Sequence, residues 1–185
     1  MHLVCFGHIG YWKLLEESEN KLVLKTYHTF QKQCSLSQYH LVTDKGLSKL
    51  FIPTLKHTRR RWYKDVEISY AEPWQRNHWS AIENAYRKAP FFIYYDYKIK
   101  PLFEKEITSL LEFNFRVLET FLECLKLELS ITQDGKSCNY HELICTELVP
   151  YPQVFDNQLG FISGASILDL LFNLGPETVD YLRLR

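Results

Sequence analysis

Early in the chain the apolar positions recur with a period of two, and later with a period near 3.6, so strands are expected first and helices afterwards. Residues 3–6 read as a short apolar strand and residues 11–18 as one or two helical turns. Residues 21–27 alternate β-branched and apolar residues with lysines, the pattern of another strand. Segments 39–42 and 50–53 flank Thr43, Asp44, Lys45 and Gly46, a hairpin signal in which Gly46 supplies the positive φ of a tight turn. Val66, Ile68 and Tyr70 alternate with Glu67 and Ser69 as a further half-buried strand. Pro73 then opens a helix over 74–88, with an apolar stripe of Trp74, His78, Ala81, Ile82 and Ala85, which must stop before Pro90. A longer helix over 101–126 carries Phe103, Ile107, Leu110, Val117, Phe121 and Leu125 at helical spacing and is expected to be the main core helix. A strand near 143–148 and a last helix from Ser166 complete the set. Ser166 and Asp169 have the spacing of a capping box, and Gly175-Pro176 ends that helix.

No internal repeat, linker or low-complexity stretch interrupts this pattern. It predicts a single α/β or α+β domain over residues 1–185, in which a strand-rich N-terminal half with a mixed sheet is packed by helices from the C-terminal half. A chain of 185 residues is long enough to bury one core.

Lysine and arginine number 22 and aspartate and glutamate 22, a formal net charge of zero. That balance argues against a general nucleic-acid binder or a chain held to anionic membranes. No apolar run approaches the roughly 20 residues that span a bilayer, and charged residues follow residues 1–6 before any signal-peptide core can form. A cytoplasmic protein is expected. Cys5, Cys34, Cys124, Cys138 and Cys145 are odd in number and irregularly spaced, as befits reduced, buried thiols. Cys138, His141 and Cys145, with Cys124, offer a sharper zinc reading, but standard paired-ligand spacing is missing and no metal site is assigned. No motif calls for a cofactor.

Three clusters carry candidate chemistry. His78 stands on an apolar helix stripe, where a histidine is most often a core residue. Its neighbours in sequence, Trp74, Gln75, Trp79, Tyr94 and Tyr95, nevertheless supply flat faces and polar tips suited to a sugar or nucleotide, and His78 is the candidate general base. Arg59, Arg60, Arg61 and Lys64 surround Trp62 and Tyr63, a mixture that binds phosphate and stacks a ring, or else a solvated connection between strands. Gly7-His8-Ile9-Gly10-Tyr11, after an apolar strand and at a helix start, is similar in part to the H-x-G-H of HIGH-type nucleotidyltransferases, which holds a triphosphate. Tyr11 replaces the second histidine, and Ser163-Gly164-Ala165-Ser166 is a distant counterpart of their late serine-threonine motif. Otherwise His8 is a turn residue at a strand end.

A broader resemblance runs through Phe30-Gln-Lys-Gln33, Phe51-Ile-Pro53, Tyr63-Lys-Asp-Val66, Trp74-Gln75, His78-Trp79, Ala85-Tyr86 and Ala89-Pro-Phe-Phe92. It continues through Tyr151-Pro-Gln-Val-Phe155, Gly160-Phe161, Ser166-Ile-Leu-Asp-Leu-Leu-Phe172, Gly175-Pro176 and Tyr181-Leu182. In this order the motifs resemble the WbqC-like protein family, and the last run is the most specific part. The resemblance implies a bacterial protein of O-antigen or surface-polysaccharide biosynthesis, a transferase that modifies an amino sugar or sugar nucleotide, with aminoacyl or glycyl transfer as one form. Departures from the family pattern fall on polar positions: Ser35, Leu36, Ser37 and Gln38 stand where relatives carry a Tyr-Arg-Asn-Arg-like run, Ile93 replaces an acidic residue, and Gly7 a proline.

Two hypotheses follow. In the first, a small-molecule transferase uses His78 as base, Arg59, Arg61 and Lys64 near phosphate, and Gln31, Lys32 and Gln153 as polar contacts, with His8 as a further ligand contact. In the second, a non-catalytic binding or scaffold protein of polysaccharide assembly uses the aromatic cluster as core or partner surface. The first expects His78 and Lys32 to face one open pocket; the second expects His78 to be buried with its nitrogens bonded internally.

Overall fold

The computed structural model describes residues 2–18, 21–25, 28–31, 34–56, 62–134 and 148–184, with side chains left undescribed at residues 21, 22, 133 and 134. In chain order its elements are α1 (Ile9–Glu16), β1 (Lys21–Lys25), β2 (Gln38–Thr43), β3 (Gly46–Phe51), α2 (Trp74–Tyr86), α3 (Phe92–Ile99), α4 (Leu110–Leu125), β4 (Ser130–Asp134), α5 (Asp156–Leu159), α6 (Ile167–Leu174) and α7 (Thr178–Leu182). Short 3-10 turns lie at Tyr63–Asp65, Lys100–Phe103 and Gly175–Glu177. Helices with a small mixed set of strand pairs make this an α/β or α+β fold, as expected.

The hairpin forms where it was read. β2 pairs antiparallel with β3, Thr43 opposite Gly46 and His40 opposite Lys49, so Asp44 and Lys45 alone make the turn. Gly46 takes φ +98°, and the second strand starts there rather than at Leu50. β1 pairs in parallel with β4, Lys21 opposite Ser130, a contact between segments too distant in sequence for local pattern to announce.

One connected hydrophobic cluster forms the core. At its centre Phe6 is fully buried, 4.6 Å from Tyr39, 5.9 Å from Phe103 and 6.0 Å from Phe121 between ring centroids. α4 contributes Phe113, Val117, Leu118, Phe121 and Leu125 along one stripe. Buried Asn114 on that stripe donates to the Leu36 carbonyl at 2.7 Å and to Tyr63 Oη at 2.6 Å. The Tyr63 hydroxyl in turn donates to the Leu3 carbonyl, which ties the N-terminal segment to α4.

Four expectations need correction. Residues 3–6 are buried but join no strand ladder among the described residues; the Cys5 amide goes to the Ser35 carbonyl, and the chain bends there, through positive φ at Phe6 (53°) and Gly7 (49°). Residues 66–70 make only isolated bridges, Glu67 to Ser109 and Ile68 to Thr54, although Val66 and Ile68 are buried on one side as the alternation required. The helix expected over 101–126 begins at Leu110: Pro101 supports only a 3-10 turn, and Ser109 Oγ accepts from the Glu112 amide as a true N-cap. Ser166 stands at the start of α6, but its hydroxyl donates to the His40 carbonyl at 2.8 Å and caps nothing. α3 was not anticipated, because its aromatic run lacks a polar stripe. The strand expected near 143–148 lies almost wholly outside the described residues.

Gly175 ends α6 at φ +53°, and a Cβ there would lie 2.4 Å from the Phe91 ring. We expect Gly175→Ala to lose roughly 2–5 kcal/mol of unfolding free energy, combining left-handed strain with overpacking. Gly46→Ala, whose Cβ meets nothing within 4 Å, should lose only about 1–2 kcal/mol from strain alone. Urea unfolding of the two variants measures the contrast.

Candidate functional site at the junction of the two helix starts

His78 sits inside the fold. It is 6% exposed, its Nδ1 lies 2.9 Å from Tyr39 Oη, and its ring also bonds the Phe51 carbonyl. A ring that donates to a carbonyl through one nitrogen accepts through the other, so the Tyr39 hydroxyl donates to Nδ1. Burial pushes the His78 pKa from 6.5 down to about 4, against the opposing pull of the Phe51 carbonyl. Trp74, Phe103 and Tyr39 pack around the ring with centroids 5.1, 6.4 and 5.6 Å away. This is the geometry named for the binding or scaffold reading, not an open pocket.

The other sequence candidates separate. Trp74 and Trp79 are core residues, 3% and 9% exposed; Trp79 stacks on Phe92 and lies under the Lys100 ammonium. Gln75 donates to the Lys105 carbonyl at 2.7 Å. Tyr94 is 60% exposed on α3, away from His78, and Tyr95 packs half-buried against the core. Lys64 is exposed and paired with Asp65 at 2.8 Å. Gln31 is exposed. Lys32, Arg59 and Arg61 lie outside the described residues, as do Cys138, His141 and Cys145. Cys5, Cys34 and Cys124 are buried; the Cys34 thiol donates to the Gln31 carbonyl at 2.8 Å, and burial raises the thiol of Cys124 to about 11.

Gln153 is wholly committed within the fold. Its Oε1 accepts from the Ile162 amide at 2.8 Å, while Nε2 donates to the Ile162 carbonyl and to Asp169 Oδ2 at 2.8 Å. The same oxygen accepts from the Tyr151 hydroxyl. Asp169 is fully buried, and its carboxyl pKa is raised by burial, with the bonds from Tyr151, Gln153 and Tyr86 pulling the other way. The Tyr86 contact is the weaker one, since Oδ1 makes no hydrogen bond of ordinary geometry; the Tyr86 oxygen accepts from the Val42 amide. This network clips residues 151–162 onto α6 and links α6 to α2 and β2. An acid inside the apolar run Ile167-Leu168-Asp169-Leu170-Leu171 was the sequence signal that would have found it.

The remaining candidate, His8, lies at a different kind of place. The starts of α1 and α6 are tied to each other: Ile167 N–H donates to the Gly7 carbonyl at 3.0 Å, Ile9 N–H to the Ala165 carbonyl at 3.4 Å, and His8 forms an antiparallel bridge with Ser166. β2 joins the same knot, because the His40 carbonyl accepts both the amide and the hydroxyl of Ser166. Phe6 and Gly7, both left-handed, deliver His8 into it, and a Cβ on Gly7 would lie 2.9 Å from the Trp12 and Tyr11 side chains. A left-handed aromatic residue is uncommon and strained, and such strain gathers at functional sites.

His8 caps α1 by accepting the Gly10 amide on Nδ1 at 3.1 Å. Burial, with His40 nearby, lowers its pKa from 6.5, so the ring is neutral at neutral pH and its hydrogen sits on Nε2. Nε2 has no partner among the described residues, and the side chain is half-buried at the surface. A neutral, oriented N–H donor with its other nitrogen fixed by the backbone suits the oxygen of a phosphate or a polarised carbonyl. It does not suit proton abstraction, which needs a bare nitrogen.

Fold and motifs define a class: the sequence model of the WbqC-like protein family matches residues 5–144, and the chain belongs to that family. The match covers the His8 segment, the hairpin and His78, and ends before the Tyr151–Leu182 motifs. Among curated proteins, the uncharacterized protein Rv1507c of Mycobacterium tuberculosis (strain ATCC 25618 / H37Rv) is 25% identical over 215 aligned positions, which span 94% of this chain and 92% of that protein. No solved structure matches the chain.

The buried groups set two expectations. The unfolded chain binds a proton at His78 near pH 6.5, whereas the folded chain refuses it until about pH 4. Stability should therefore fall as pH drops through that window, with up to about 3 kcal/mol from this group. His78→Gln should flatten, without abolishing, the pH dependence of urea midpoints, because His2 is also held down to about 4. Asp169→Leu should cost roughly 2–4 kcal/mol by leaving the Tyr151 hydroxyl without its acceptor and taking one acceptor from Gln153 Nε2. Asp169→Asn, which keeps an acceptor oxygen, should cost clearly less in the same unfolding assay.

Proposed function

We propose that this WbqC-like protein is a transferase acting on an amino sugar carried as its sugar nucleotide, and that His8 holds a phosphate oxygen of that substrate through Nε2–H. The observation that carries the reading is the His8 ring itself, with Nδ1 fixed on Gly10 and Nε2–H presented beside a strained turn. The partial likeness of Gly7-His8-Ile9-Gly10 to the HIGH-type phosphate grip supports the same ligand chemistry. Family resemblance supplies the wider setting, O-antigen or surface-polysaccharide biosynthesis in a bacterial cytoplasm, with group transfer to the sugar amine as the reaction class. One domain spanning residues 1–185 is part of this reading. A hydrogen-bond donor fixed before the substrate arrives stabilises charge that develops on a phosphoryl or acyl oxygen without reorganising.

The buried, internally bonded His78 favours a second reading, a non-catalytic binding protein of polysaccharide assembly. In both readings the His8 junction takes the ligand; they differ in turnover.

His8→Asn separates the roles of the ring. Asparagine keeps an acceptor for the Gly10 amide, so helix capping survives while the Nε2–H donor is lost. Uridine and thymidine diphosphate amino sugars at about 100 times the dissociation constant should stabilise the wild type by about 2.7 kcal/mol, a rise in Tm of roughly 5–10 °C. His8→Asn should melt near the wild-type temperature without ligand and lose most of the rise. An undiminished rise in His8→Asn would overturn the role given to His8, and a rise with no consumption of sugar nucleotide on adding aminoacyl donors would leave the binding reading in place of the transferase.

A further inference from the structure

The β2–β3 hairpin carries side chains that His8 alone does not explain. Residues directly opposite each other in an antiparallel pair point to the same face, with Cβ atoms about 5 Å apart. The pairing therefore gathers Gln38, His40 and Val42 of β2 with Phe51, Lys49 and Leu47 of β3 on one face. Leu47 identifies what that face looks toward, since its Cδ2 lies 3.3 Å from where a Cβ on Gly164 would stand, in the loop leading into α6. His40, on the same face by register, is also near enough to His8 to contribute to the lowering of its pKa. This face thus adjoins the junction of the two helix starts.

Three of its residues have unused binding capacity. Lys49 is exposed and in no ion pair among the described residues; its ammonium rests 5.8 Å from the centroid of the Phe51 ring. Phe51, although aromatic, is 42% exposed. Gln38, opposite Phe51 in register, is 8% exposed, and its buried Oε1 has no hydrogen-bond partner among the described residues. A buried acceptor without a partner is costly, and beside an exposed aromatic ring and an exposed ammonium it suits a flat ring bearing an N–H, linked to an anion.

We propose that this hairpin face recognises the nucleoside diphosphate part of the substrate, with a pyrimidine base stacked on Phe51, its imide N–H given to Gln38 Oε1, and its diphosphate paired with Lys49 on the way to His8. The inference rests on the sugar-nucleotide reading above and adds the residues that select the nucleotide. Base stacking on an aromatic side chain and charge pairing to phosphate are separable contributions, one insensitive to salt and the other screened by it.

Isothermal titration of the purified full chain with uridine diphosphate glucosamine, uridine diphosphate and uridine tests it. Phe51 and Lys49 are exposed, so Phe51→Ala and Lys49→Ala should fold as wild type, which thermal unfolding checks. Lys49→Ala should weaken both diphosphates by about tenfold or more, leave uridine nearly unchanged, and flatten the salt dependence. Phe51→Ala should weaken all three by at least about fivefold. Wild-type affinity in both variants would overturn the inference, and if His8→Asn still lost affinity the function proposed above would stand without it. Loss in the hairpin variants with none in His8→Asn would uphold the hairpin site and remove His8 from it. No binding of any of the three to the wild type would overturn both.

Discussion

The exchange of backbone hydrogen bonds between the starts of α1 and α6 holds three distant parts of the chain at one point. Gly7 accepts from Ile167, Ala165 from Ile9, and His40 from Ser166, so segments around residues 8, 40 and 166 are fixed against each other. The first amides of a helix have no acceptor within it; here the segment leading into each helix accepts the first amide of the other. Leu47 packs toward Gly164 at this point, and Phe6, one turn earlier, enters the centre of the core. Moving any one segment therefore disturbs both helices and the hairpin.

The same constraint gives His8 and His78 different surroundings. Both are histidines with depressed pKa, and burial is the main cause in both. At His78 both ring nitrogens face protein groups, so the residue joins α2 to β2 and to the end of β3. At His8 one nitrogen is spent on the helix cap and the other is presented. The buried Asp169 network stands behind this arrangement, clipping residues 151–162 to the first turn of α6 and so holding the loop that supplies Ala165 and Ser166. The hairpin register then puts Lys49 and Phe51 on the same face as Leu47, which packs toward Gly164.

Much of the fold was legible in the sequence where the determinants are local. The hairpin followed from alternation around Gly46, α2 from a stripe bounded by Pro73 and Pro90, and α6 from its apolar run closed by Gly175. What was lost depends on partners remote in sequence. Residues 3–6 have strand composition, but the Cys5 amide goes to the Ser35 carbonyl of the 34–37 turn instead of to a strand. β4 pairs with β1 across more than one hundred residues of chain. The start of α4 was set by the Ser109 cap, which the long apolar periodicity through 101–109 concealed. For the candidate site, the sequence weighted the aromatic helix, whose Trp74, His78 and Trp79 are buried in the core. His8 was legible only as a partial motif, since the strained turn, the tautomer and the neighbouring α6 are properties of the assembled chain. The hairpin face was illegible, because register decides which side chains share it.

The central claim is that His8 is a neutral, backbone-fixed donor that meets the substrate. Nitrogen-15 NMR of the imidazole rings, recorded at neutral pH before and after addition of uridine diphosphate glucosamine, reads this directly. The account predicts a neutral His8 with its proton on Nε2 and an acceptor-type Nδ1, and a shift of the Nε2 resonance as the sugar nucleotide saturates, while His78 stays unchanged. A charged His8, a proton on Nδ1, or a saturating ligand that leaves the His8 resonances in place would contradict it.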